Sequence, residues 1–134
     1  MTGCIPALML GLSFAVASAA LGADFDGKLA LVCAPGEVSQ CDTSASCEKV
    51  AAGEIELPDQ FQVDFQKKLL HSTDGKRSSP ISHVDASEST LIFQGAQNGR
   101  GWSIAIDRAT GYMTGTIADI EGAFVLTATC SKAP

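Results

Sequence analysis

The feature that most constrains this chain is an alternation of period two. Phe61, Val63 and Phe65 alternate with Gln62, Asp64 and Gln66, and Trp102, Ile104 and Ile106 alternate with Ser103, Ala105 and Asp107. Near the end, Phe124, Leu126, Ala128 and Cys130 alternate with Val125, Thr127 and Thr129. Successive side chains of a strand point to opposite faces. Each run therefore gathers large apolar groups on one face and polar or β-branched groups on the other. Leu29, Leu31 and Cys33 repeat the pattern on a shorter scale.

Turn chemistry separates these runs. Asn98-Gly99 supplies residues tolerant of positive φ between strands expected over 90–94 and 101–107. Asp107-Arg108-Ala109-Thr110-Gly111 reads as a type I turn followed by a left-handed glycine, with the Asp107 carboxylate accepting from turn amides. Residues 119–122 close the next hairpin, which makes 90–130 a four-stranded meander. The middle is less regular. A polar turn over 74–80 separates a strand ending near Leu70 from a short one over 81–84, and Pro58 marks a break before a strand over 60–66. Residues 47–52 suit either one helical turn or another strand. The expected fold is all-β: an antiparallel meander of about seven or eight short strands that curls into a small closed or partly open barrel to remove its edges.

The first 23 residues carry no charge, and residues 5–21 are mostly apolar and followed by small residues, including Ala17-Ser18-Ala19-Ala20. That pattern matches an export signal, expected over 1–23, with the mature domain over 24–134. Removing the signal removes Cys4 and leaves Cys33, Cys41, Cys47 and Cys130, an even set that reads as two disulfides in an exported chain. Seven, five and eighty-two residues separate them, unlike the close knuckles of structural zinc sites. Of the three possible connectivities, Cys41–Cys47 with Cys33–Cys130 is favoured: the first closes a tight loop and the second ties the first strand to the last.

Nine basic residues stand against fifteen acidic ones, a formal net charge of −6. The basic residues are scattered and form no stripe, so nucleic acid is not an expected partner. A membrane is expected only if the N-terminal segment is retained as an anchor.

No constellation argues for catalysis. His71 and His83, the only histidines, form no pair at ligand spacing, so neither a metal nor a cofactor is expected. Ser82-His83-Val84-Asp85 holds the residue types of a hydrolase triad, but neighbours on one strand alternate faces, whereas a triad converges from separate elements. Glu54 and Glu56 share a face if 53–57 is extended, a layout common on solvated strands. The remaining candidate is Asn98-Gly99-Arg100-Gly101-Trp102, where the only tryptophan follows an arginine by two residues. Arg100 and Trp102 are the candidate binding pair, because these residue types are common interface anchors.

Across residues 94–114, from Gln94-Gly95 through Arg100-Gly101-Trp102 to Met113-Thr114, the chain resembles a group of small exported proteins of proteobacteria that have no settled activity. The likeness extends to Cys33, Cys41, Cys47, Leu57-Pro58-Asp59 and the segment ending at Cys130. It implies a periplasmic or secreted location and a domain type. A weaker architectural likeness is to lipocalin-like barrels and periplasmic lysozyme inhibitors. The expected function is a non-catalytic envelope protein that binds a protein partner or a small ligand. The alternative is an inhibitor of a cell-wall hydrolase, followed by a small periplasmic enzyme.

Overall fold

The computed structural model describes residues 25–134. The export segment expected over 1–23 lies outside the described residues. Nine strands follow in order: β1 (Leu31–Asp42), β2 (Cys47–Val50), β3 (Phe61–Asp64), β4 (Leu69–Ser72), β5 (Ser78–Ala86), β6 (Thr90–Gln97), β7 (Arg100–Asp107), β8 (Tyr112–Asp119) and β9 (Gly122–Lys132). All pairings are antiparallel, and β9 returns to pair with β1. Eight strands therefore close a barrel, and β2 is an extra strand on the upper part of β1. Among the described residues no helix is long and apolar enough to cross a membrane.

Closure depends on a bend in β1. Its first residues, Leu31 to Cys33, pair with β3, whereas Val38 to Cys41 pair with β2. Between them the β9 register shifts between Pro35 and Val38, a bulge where proline's missing donor is tolerated and where Glu37 N donates to Thr127 Oγ1 at 3.0 Å. Both expected disulfides are present. Cys33–Cys130 joins register partners across the β1–β9 seam, and Cys41–Cys47 joins register partners across β1 and β2. Two cystines are the chemistry of an oxidising compartment.

The meander over 90–130 consists of β6 to β9, and its turns follow the sequence. Asn98 and Gly99 take φ of 53° and 77°, the positive values of the favoured two-residue hairpin. Gly111, at φ 76°, donates its amide to Asp107 O at 2.8 Å, while Asp107 Oδ1 accepts from the amides of Ala109 and Thr110.

The middle of the chain departs from expectation at three places. The strand expected over 60–66 ends at Asp64. Phe65 nevertheless stays buried and meets Phe93 edge-on at 5.3 Å, so the apolar face outlasts the ladder. The short strand expected over 81–84 runs the nine residues of β5. Residues 53–57 are not extended: Ala52–Ile55 is a single 3-10 turn ended by Glu56 at φ 56°. Glu54 and Glu56 therefore do not share a strand face. After β2, the chain uses this turn to cross to β3.

Inward side chains form layers defined by register. The lower layer contains Leu91, Ile106, Met113 and Ala128. The middle layer runs Phe93, Ile104, Gly115, Leu126 and Val38, and the upper layer runs Gly95, Trp102, Ile117 and Phe124. Leu31, Val63, Leu91, Ile106 and Met113 are fully buried and fill the lower half. Phe25 plugs this end: its ring lies against Gly111, at whose α-carbon an added Cβ would sit 2.5 Å from Cζ. Ala133 N donates to Ala30 O at 2.9 Å, so both ends of the described chain lie at the closed end.

Candidate binding cavity at the open end of the barrel

Above the middle layer the barrel is not filled. A cavity of about 790 Å³ opens at the end formed by the β4–β5 and β6–β7 turns, the upper part of β8 and the loop around Leu57-Pro58. Its floor and lower wall are apolar, from Phe61, Leu70, Ile104, Ile117 and Leu126, and its rim is polar. An eight-stranded barrel is wide enough to pack shut or to hold one small ligand. One of two inward glycines favours the second outcome. Gly115 stands in the middle layer between Ile104 and Leu126, where alternation would place a large side chain. Gly95, in the upper layer opposite Trp102, leaves no such space, because the indole fills it.

The candidate pair Arg100 and Trp102 meets at this cavity, since both line it from β7. Trp102 is half-buried: its ring meets Phe93 edge-on at 6.1 Å, crosses over Gly95, and donates Nε1–H to Ser79 Oγ on β5 at 2.8 Å. Arg100 is exposed at the rim, and its Nε donates to Asp119 Oδ2 at 3.3 Å from the end of β8. Among the described residues its two Nη groups have no partner.

Two strands along from β7, the β4–β5 turn presents Lys76 and Arg77. Buried Ser72 organises this turn: its Oγ donates to Asp74 Oδ1 at 2.5 Å and accepts from Arg77 N at 3.1 Å, while Lys76 N donates to Asp74 Oδ1 at 2.9 Å. The Ser72 hydroxyl and then the Lys76 amide hold the Asp74 carboxyl below its ordinary range. Arg77 donates to the Glu56 carbonyl at 2.6 Å and to Glu56 Oε2 at 2.8 Å, which ties the Leu57-Pro58 loop to the rim. Lys76 has no side-chain partner among the described residues.

The other sequence candidates lie apart from one another. His71 lines the cavity, with Nδ1 3.3 Å from Ser72 O, whereas His83 is exposed on β5. Ser82, His83, Val84 and Asp85 are consecutive exposed residues of that strand and do not converge. Among the described residues, no three His, Cys, Asp or Glu side chains gather where a metal ion could be held. Sequence reading missed Lys76 and Arg77, which reach the rim from the β4–β5 turn, and Ser79 and Asp119, which reach it from β5 and β8. It also missed Gly95 and Gly115, although glycine at an inward position of an alternating strand is a visible signal.

No family model, curated protein or solved structure matches this chain.

Proposed function

We propose that this domain is a non-catalytic binding protein, exported to the periplasm or secreted, that takes a small ligand in the open end of its barrel. The observation that carries the reading is the one-ended cavity of about 790 Å³, with an apolar floor and a polar rim. Volumes of roughly 300–1,000 Å³ with few, placed polar groups are typical of small-molecule sites. The inward turn of Trp102 favours a small ligand over a protein partner or a hydrolase, because an anchor for a protein surface would project from the rim. The two disulfides agree with an oxidising destination.

The only tryptophan lines the cavity, so its emission reports on occupancy. Titrating a panel of anionic, neutral and cationic amphiphiles should shift Trp102 emission and raise the melting temperature for at least one class. Gly115→Leu, which fills the floor, should abolish the response. A panel without response, or a Gly115→Leu protein that responds like the parent, would overturn the reading.

A further inference from the structure

We propose that the ligand of this cavity is an anionic amphiphile whose carboxylate sits between Arg100 and Lys76, with its apolar body on Trp102, Ile104 and Leu126. The inference rests on the binding reading above and adds the chemical class. Its starting point is a charge contrast. The chain carries a net charge of −6, yet the charged residues lining the cavity are Lys76, Arg77 and Arg100 against Glu56 alone. Three of nine basic residues and one of fifteen acidic ones therefore face this space. With Asp119 behind Arg100 and Asp74 beside Lys76 the rim balances at three against three, so what selects the ligand is which cations keep free donors.

The cations are not equivalent. Arg77 is occupied on both Nη groups by Glu56, so its work is to hold the loop. Arg100 is held only through Nε by Asp119, whose side chain is 20% exposed; this engages one edge of the guanidinium and leaves its Nη edge for a second acceptor. Such a planar edge matches a carboxylate. Lys76 adds an ammonium with no hydrogen-bond partner among the described residues, from the β4–β5 turn that the Asp74 and Ser72 hydrogen bonds set. Below this rim the lining turns apolar, and fully buried Phe93 and the lower layer stop the cavity from continuing through the barrel. A ligand must therefore enter head-last, with its apolar end down and its charge at the rim.

The test compares three ligands of one chain length, decanoate, decanol and decyltrimethylammonium, below their micellar concentrations, by Trp102 emission and calorimetry. Decanoate should bind at least about tenfold more tightly than either of the others, since hydrogen bonds to charged groups are worth that much or more. Added salt should narrow the gap. The double variant Lys76→Gln, Arg100→Gln should lose the preference for decanoate over decanol. Decanol binding as tightly as decanoate, or a double variant that keeps the preference, would overturn the anionic class and leave the binding reading standing. Failure of all three ligands, with intact folding by circular dichroism, would count against both.

Discussion

The indole of Trp102 occupies the space that a side chain at residue 95 would take. A Cβ built on Gly95, its register partner across β6 and β7, would lie 2.4 Å from Trp102 Cζ2 and 2.2 Å from the carbonyl oxygen of Pro80. The second contact is with backbone and cannot relax by a rotamer change. Gly95→Ala should therefore destabilise the domain by about 2 kcal/mol, in the range of overpacked cores, and should shift Trp102 emission. Urea unfolding with tryptophan detection reads both.

Gly115 is the contrasting case, an inward glycine whose close neighbours are all side chains. A Cβ there would meet Met113 Cε at 3.2 Å and Ile104 Cγ1 and Leu126 Cγ at 3.5 Å, contacts that a flexible methionine end can absorb. Gly115→Ala should leave stability within about 1 kcal/mol of the parent, because the relief of glycine's excess chain entropy offsets the tight contact. Thermal unfolding of the two alanine variants side by side checks the ranking.

The strands, most turns and both bridges were legible in the sequence because each rests on local chemistry: alternation, a positive-φ pair at Asn98-Gly99, an aspartate that accepts turn amides. The cavity was legible only in part. Arg100 and Trp102 stood out as residue types, but the partners that orient them, Asp119 and Ser79, come from strands 19 and 23 residues away. Nothing local marks such a pairing, which register alone decides. The segment over 53–57 offered no periodic signal that decides its form: its 3-10 turn is held by Glu56 N donating to Gly53 O and Leu57 N to Ala52 O, and by Arg77 reaching back to Glu56.

The two disulfides should differ in weight. Cys33–Cys130 closes a separation of 97 residues and lies buried at the seam, so replacing both cysteines by alanine should cost about 4 kcal/mol. Cys41–Cys47 spans six, and its hairpin is already held by Asp42 Oδ1, which accepts from Ser44 N, Ser44 Oγ and Ser46 N. Its removal should cost about 2 kcal/mol or less. Denaturant midpoints of the two double variants measure the difference.

Acid should loosen the rim and this hairpin together. The Ser44 hydroxyl, then the Ser46 and Ser44 amides, hold the Asp42 carboxyl below its ordinary range, as the Ser72 hydroxyl and Lys76 amide do for Asp74. A carboxyl depressed in the folded state stabilises the fold above its unfolded pKa of about 3.9. That contribution is lost as pH falls through the folded value. The melting temperature should thus hold steady from neutrality to about pH 5 and fall below about pH 4. Asp74→Asn should flatten part of that fall.

The chain begins its barrel at Ala30 and Leu31 and finishes it at Lys132 and Ala133, side by side at the plugged end, while the cavity opens at the other. A label, resin or surface tether joined at Pro134 is consequently held behind the barrel. Molecules immobilised that way share one orientation, mouth outward, with nothing of the attachment in the path of an arriving solute.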